Sequence, residues 1–582
     1  MGNLPSGAIT PSSIAFQLSP AAVISKLSIA ASSFSVKAPG VEGGRYVVDP
    51  GINTVRRETH FGGREFNCLV NRPERFDDLL RSAAQQQPDA EALRCNGQTL
   101  TYREFSEWAD RVAHALEQAG VEQGDRVGVF LGNGLPFFLA IMGIVRRGAI
   151  AVPLSAKLNA AEVSYAMNHC EAKALIWEEA LESRMPQPDA LKTVTQQWRV
   201  SSQAGELGNM PALFAPVAEP FAAQGSEEDV ILLFYTSGTT GRPKGAAITN
   251  LNIVHSALQY AYAIDLKPAQ RGLLAIPGSH ISGFMALFTN MLSARGCTVI
   301  MREYDTRTVL RVMEEERITF TVFVPTIYHL ILMHPDFRPE ALTAWRTGIY
   351  GGGIMAPATI TRMDALLPQL LLINGYGATE TTSPVSIMPA WGSPERPASI
   401  GLLVQCGEAL IVDDDGRPVP QGASGELWIR GPMVIPCYWN DPEQTEASFH
   451  DGYWKTGDIV SMDEEGFLYI HDRKKDMINR GGYKIFSAEV ENAALSIEGV
   501  MEAAAVPVAD PVLGERVCLF LRVDQNGPDE AAVRSALAAQ LSDYKVPEFY
   551  QLGADPLPRN ANGKLTKAPL VEIARPYEGR RP

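Results

Sequence analysis

From Leu100 onward the chain alternates two hydrophobic rhythms. Phe105, Trp108, Ala109, Val112, Ala113 and Leu116 recur at steps of three and four, the spacing of one helical face, and Gly120 supplies a stop. A turn at Gly124-Asp125-Arg126 leads into the apolar run 127–131, which predicts a buried strand. Residues 135–147 predict a second helix and 149–154 another strand. Strand, helix, strand in that order predicts a largely parallel sheet with helices on its faces. The same rhythm continues at 230–235, 297–301, 319–324 and 370–373.

After Ile400 the pattern changes. Residues 409–412, the turn Asp413-Asp414-Asp415-Gly416 and residues 425–430 predict antiparallel strands in a smaller β unit. Beyond Asp472 a compact α+β piece is expected, with Ser487 as N-cap of a helix over 488–496 and Glu489 in its first turn. Residues 272–294 lack Asp, Glu, Lys and Arg, but Pro277, Gly278, His280, Gly283 and Asn290 interrupt them, so they predict buried sheet and helix rather than a membrane span.

At 582 residues, three or four structural units are expected. Residues 1–75 differ from the rest. No acidic residue precedes Glu42, the opening Met1-Gly2-Asn3-Leu4-Pro5-Ser6 fits a myristoylation pattern, and the stretch faintly resembles a transit peptide. Both patterns are permissive, and an extension packed on the main body or partly disordered is expected. The expected division is an extension over 1–75, a large α/β domain over 76–472 and a small α+β lid over 473–582. The fold class is therefore α/β: layered parallel-rich sheets with helices and a β unit, followed by a small mobile α+β domain.

Composition narrows the function. A chain that is 46% hydrophobic and 20% charged reads as a soluble globular protein, and a cytoplasmic location is expected. A formal charge of −15 argues against a nucleic-acid partner, because an acidic surface repels phosphate backbones, but a local cluster of donors can still hold a nucleotide. Seven cysteines without a Cys-x-x-Cys indicate neither a zinc site nor a disulfide framework.

The strongest chemical signal is Tyr235-Thr236-Ser237-Gly238-Thr239-Thr240-Gly241-Arg242-Pro243-Lys244-Gly245, straight after an apolar strand. Glycines let backbone N–H groups approach an anion, and the hydroxyls and Lys244 add donors and charge. Lys244 is followed by Gly245 rather than Ser or Thr, so this is not a Walker A loop. The segment resembles the signature loop of the adenylate-forming superfamily: acyl-CoA synthetases, adenylation domains of peptide synthetases, and beetle luciferases.

The resemblance extends over about residues 100–567. Asn374-Gly375-Tyr376-Gly377-Ala378-Thr379-Glu380 is similar to the family's nucleotide motif, which implies Tyr376 on adenine, Thr379 at the α-phosphate and Glu380 on Mg²⁺. Tyr350-Gly351-Gly352-Gly353 resembles the segment along the adenine and acyl pocket. Tyr453-Trp454-Lys455-Thr456-Gly457-Asp458 resembles the ribose motif, with Asp458 accepting from both hydroxyls; Arg473 would reach the ribose or phosphates. Pro558-Arg559-Asn560-Ala561-Asn562-Gly563-Lys564 resembles the loop of the catalytic lysine, and Lys475 stands at the family's hinge position. Gly481 and Gly482 would admit a pantetheine arm, and His280 would border the acyl pocket, although the Phe common before it is missing.

Taken singly, Asp458 reads as a turn aspartate, Lys564 as a solvated lysine, Glu380 as an acid at a helix start and His280 as a core histidine. Five motifs in the family's order reverse that reading. The chemistry explains the residue types: a carboxylate attacking the α-phosphorus of ATP is an anion approaching a polyanion, so cationic and hydrogen-bonding groups (Thr236 and its loop, Lys244, Mg²⁺ on Glu380, Lys564) must neutralise the charge. The resemblance implies an acid:CoA ligase using ATP, Mg²⁺ and coenzyme A on a fatty or aromatic acid. Loading of a separate carrier protein is the alternative, and a homodimer stays open. A catalytically idle nucleotide sensor is disfavoured by the retained Lys564, Glu380 and Asp458. A luciferase-like oxygenase is disfavoured by Asn479, which stands where luciferases carry a lysine.

Overall fold

The computed structural model describes residues 40–42, 45–47, 55–202, 205–236, 242–353, 355, 357–389, 396–524, 527–559 and 565–580. The first expected helix is Tyr102–Gln118, and its buried face carries the six residues picked out by spacing. Its start is a capping box: the Thr101 side chain accepts from the Glu104 N–H, and the Glu104 carboxylate accepts from the Thr101 N–H at 2.7 Å. The second helix, Leu135–Arg146, is buried along its whole length. It touches strands of two different sheets and packs closely on Tyr102–Gln118. Gly143 permits that approach, since a Cβ there would lie 2.3 Å from the Val112 Cβ.

One of the two sheets has six strands in the order Gln196–Val200, Ala174–Glu178, Arg126–Phe130, Ile150–Pro153, Val230–Thr236, Lys244–Thr249. Its first five strands are parallel, and the last returns antiparallel. The other has nine strands, with a parallel centre running Leu371–Tyr376, Thr347–Tyr350, Phe320–Phe323, Arg271–Leu274, Cys297–Ile300, Glu91–Cys95. A third, antiparallel sheet contains the expected pair Glu408–Val412 and Gly425–Arg430, followed by Tyr453–Met462 and Leu468–Arg473.

The described part of residues 1–75 is built into this body. Strands Gly40–Glu42 and Arg45–Val47 extend the third sheet beside Glu408–Val412. The hairpin Val55–His60/Arg64–Leu69 buries Phe66 and Cys68 against Leu251. The apolar stretch over 272–294 becomes a strand ending at Leu274, a π-helix Ser282–Thr289 and a helix Asn290–Ser293. Among the described residues no helix is long and apolar enough to cross a membrane. None of the seven cysteines, all among the described residues, forms a disulfide, and six are buried.

The C-terminal unit is α+β, with five strands and the helices Ser487–Leu495, Glu530–Gln540 and Ala568–Ala574. Here one expectation is corrected. Ser487 is not the N-cap: the helix begins at Ser487, and Phe486 occupies the cap position without a side-chain bond. The cap comes instead from Asp472 on the strand Leu468–Arg473, whose carboxylate accepts from the Ser487 N–H (2.5 Å) and hydroxyl (2.9 Å). A carboxylate delivered by tertiary structure thus replaces the local hydroxyl cap.

At the end of the buried helix, Arg146 is fully enclosed and paired with Asp77 (2.9 Å) and Asp110 (2.8 Å). Arg146→Ala removes the cation these acids share, leaving Asp77 its pair with Arg81 and Asp110 only a bond from the Phe221 N–H. Removing one member of a buried ion pair costs about 3 kcal/mol or more. The urea midpoint of the unfolding transition should fall accordingly; an unchanged midpoint would show that the pair carries no net stability.

Candidate active site

Three expected motifs leave the carboxyl ends of strands: Thr236 ends Val230–Thr236, Tyr350 ends Thr347–Tyr350 and Tyr376 ends Leu371–Tyr376. Carboxyl ends of parallel strands are where open α/β sheets bind ligands. Gly351 follows at once, and a Cβ there would come 2.3 Å from the Gly375 carbonyl, so glycine is required for the two motifs to lie side by side. Gly352 adopts φ +74° and Gly353 is exposed. Gly377 sits against Ser383 and Pro384, where a Cβ would approach to 3.1 Å.

Tyr376, Asp458 and Arg473 form one cluster. The Tyr376 hydroxyl donates to Asp458 Oδ2 at 2.5 Å, and Arg473 Nε donates to Oδ1 at 2.6 Å. Asp458 and Arg473 are cross-strand partners, which explains why residues fifteen apart meet. Thr456 Oγ1 accepts from the Asp458 N–H at 2.9 Å and donates to the Leu427 carbonyl at 2.7 Å, fixing the aspartate's backbone. Asp458 is almost completely buried, whereas half of the Arg473 side chain is exposed. Burial and the neighbouring Asp458 charge hold the Tyr376 phenol protonated, far above its ordinary range.

Lys244, Tyr438 and Glu380 form the second cluster. Lys244 is the cross-strand partner of Thr236, and its ammonium lies 5.2 Å from the Tyr438 ring centroid. The Tyr438 hydroxyl donates to Glu380 Oε1 at 3.0 Å. Glu380 sits in the short 3₁₀ turn Thr379–Thr381, and its carbonyl accepts from the Ile435 N–H at 2.9 Å. Burial pushes the Lys244 ammonium down, opposed by the charges of Glu380 and Asp441. Tyr438 was not singled out in the sequence. It sits in a loop, 58 residues from its partner Glu380, and carries no motif spacing that would mark it.

The remaining expected residues are placed as follows. Ser237, Gly238, Thr239, Thr240, Gly241 and Lys564 lie outside the described residues. The ends of the lysine loop are tied by a bridge between Arg559 and Leu565 and by a bond from the Thr566 N–H to the Pro558 carbonyl. His280 lies just ahead of the π-helix, with Ser282 Oγ 3.4 Å from its Nδ1. Gly481 and Gly482 both have positive φ and make the two-residue turn between strands Ile478–Arg480 and Tyr483–Ile485. Lys475 is exposed in the turn after Arg473. Across that turn runs a buried chain of contacts: Asp472 to Ser487, Ser487 Oγ to Lys567 Nζ (2.6 Å), and Lys567 to Glu491 (2.7 Å).

Two family models match the chain, AMP-binding enzyme over residues 80–439 and AMP-binding enzyme C-terminal domain over 489–564. A feruloyl-CoA synthase of Amycolatopsis sp is 34% identical over 489 residues, covering 83% of this chain and 96% of that protein. The long-chain-fatty-acid–CoA ligase FadD13 of Mycobacterium tuberculosis is 32% identical, covering 81% and 93%. The o-succinylbenzoate coenzyme A synthetase MenE of Bacillus subtilis, solved with ATP and magnesium ion, superposes with a TM-score of 0.74 at 27% identity, covering 85% and 98%. Two clusters at strand ends, in a fold shared with a nucleotide-bound relative, and a family match over most of the chain lead to one assignment: the protein belongs to the AMP-binding enzyme family of adenylate-forming ligases.

Proposed function

We propose that the protein is an ATP-dependent acid:CoA ligase. The acid's carboxylate attacks the α-phosphorus of ATP and pyrophosphate leaves; the CoA thiol then attacks the acyl carbon, AMP leaves with the bonding pair and the thiol proton passes to solvent. The observation that supports this reading is the pairing of two clusters at the strand ends, one built on a carboxylate held by Tyr376 and Arg473, the other a lysine and a carboxylate bridged by Tyr438.

In this reading Asp458 receives the ribose hydroxyls. Its oxygens already accept from Tyr376 and Arg473, which fix the orientation of the carboxylate. Tyr376 then acts as adenine platform and as the brace of that carboxylate. Glu380 suits Mg²⁺: it is a hard oxygen donor, and Mg²⁺ is usually held by one or two carboxylates plus substrate phosphates. When bound there, the ion offsets phosphate charge. Thr236, the loop to Lys244 and Thr379 complete the phosphate cradle, Gly351–Gly353 flank the adenine and acyl groups, and His280 borders the acid. Lys564 bridges the acid and phosphate oxygens, and rotation at Lys475 exchanges it for Gly481 and Gly482, which admit the thiol arm. A cytoplasmic location fits this chemistry.

The acid is fatty or aromatic. Pyrophosphate release from Mg-ATP should require both an acid of one of these classes and CoA. Release that stops near one turnover and ignores CoA would instead indicate a separate carrier protein, and no acid-dependent release would sink the assignment.

Lys564→Ala should slow adenylation by at least about a hundredfold, because it removes a transition-state contact, while thiolysis of supplied acyl-adenylate survives much better. Equal loss of both half-reactions in a folded variant would refute the role given to Lys564. Tyr438→Phe removes the hydroxyl that orients Glu380. The Mg²⁺ concentration needed for half-maximal rate should rise about tenfold, the scale of loss for a group that orients a metal ligand. An unchanged Mg²⁺ dependence would argue against Glu380 as the ligand.

A further inference from the structure

Far from these clusters in sequence, and ahead of the matched family segment that starts at residue 80, the N-terminal hairpin carries chemistry that adenylation does not use. Strand alternation puts Glu58 and His60 on one face, and the register Arg56↔Cys68, Glu58↔Phe66 brings Cys68 onto the same face diagonally from Glu58. One ligand atom from each of Glu58, His60 and Cys68 lies within 4.8 Å of the others. The carboxylate and imidazole are about one-tenth exposed and the thiol is fully buried. Glu58 and His60 also line a cleft of about 610 Å³ shared with Val70, Glu74, Ser226 and Glu228.

We propose that Glu58, His60 and Cys68 bind a thiophilic divalent transition ion, with zinc as the natural occupant. Carboxylate oxygen, imidazole nitrogen and thiolate sulfur are the donors zinc takes, and three protein ligands leave a fourth position for water. His60 Nε2 lies 3.2 Å from Glu58 Oε2, close to the separation of about 3.3 Å between two light-atom ligands on a tetrahedral zinc. His60 Nδ1 lies 2.9 Å from Glu228 Oε1. A carboxylate accepting from the second ring nitrogen is the usual outer partner of a metal-bound histidine: it fixes the tautomer and turns the other nitrogen toward the ion.

Arg72 does not block the site. Both oxygens of Glu227 and the Leu69 carbonyl anchor it independently of Glu58. Arg72 also donates to Glu58 Oε1 at 3.2 Å, an oxygen that Arg56 binds as well, while its bond to Oε2, at 2.8 Å, takes one lone pair of an oxygen that has a second. The lone pair facing His60 is the one the ion would take. Both ring nitrogens of His60 face carboxylate oxygens. Cys68 binds as the thiolate and gives its proton to solvent, and Nε2 binds the ion through its lone pair.

The test is a Co²⁺ titration of the metal-stripped full chain, watching the thiolate-to-cobalt charge-transfer band and, with a pH indicator, the protons released. A band saturating at one ion per chain, with release of protons, is expected. Cys68→Ser should abolish the band, and His60→Ala should weaken binding by at least about tenfold. Glu228→Gln leaves all three ligands in place, so it should lower affinity while keeping the band, which guards against a hairpin that simply fails to fold. A wild-type chain without a thiolate band, or a band that survives Cys68→Ser in folded protein, would overturn the proposal and leave the cluster as an ion-pair network between hairpin and body.

Discussion

A helix buried on every side has to satisfy two surfaces at once, and Leu135–Arg146 does so between the six-stranded and nine-stranded sheets. Its apolar residues face both, Gly143 brings the neighbouring helix within van der Waals reach, and its last residue is a charge made tolerable by Asp77 and Asp110, with Ser106 accepting from it as well. With the spacing between the sheets so fixed, the strands ending at Thr236, Tyr350 and Tyr376 are held in constant relation. The site is thus positioned by packing well away from it, as precise chemistry on loops requires.

Electrostatics then divides the work. A protein with net charge −15 cannot attract a nucleotide by its overall field, so cations have to be placed singly. Lys244 and Arg473 are each set beside a carboxylate-centred cluster containing a protonated tyrosine. Tyrosine suits that duty because its hydroxyl orients a carboxylate without adding or removing charge.

Much of the fold was legible because apolar periodicity reports burial directly. The helix over Tyr102–Gln118 and the strand pair Glu408–Val412/Gly425–Arg430 appear where their patterns place them. What escaped depends on contacts distant in sequence. Tyr438 meets Glu380 across 58 residues, and Asp472 caps the helix that begins with Ser487 from another element. Strands Gly40–Glu42 and Arg45–Val47 are only three residues long, too short for alternation to show, and they exist by pairing with an edge some 360 residues away. At the site, residue types followed from the needs of phosphate chemistry. The pre-formed bonds that occupy Asp458 could not be read, because they belong to the folded arrangement of three strands.

The buried chain from Asp472 through Ser487 to Lys567 and Glu491 bears on how freely the small unit can move. Asp472 precedes Lys475 and the other three residues follow it, so a pivot there changes the separation between the carboxylate and its partners. Burial raises the Asp472 carboxyl above its ordinary range, so the aspartate depends on those donors to stay ionised in place. The proposed rotation of the small unit would therefore act like drawing a bolt rather than flexing a tether: the resistance would be concentrated in a few short polar contacts. In the proposed rotation such a joint would hold one orientation until the bolt is drawn, and the exposed turn around Lys475 would guide the movement without having to resist it.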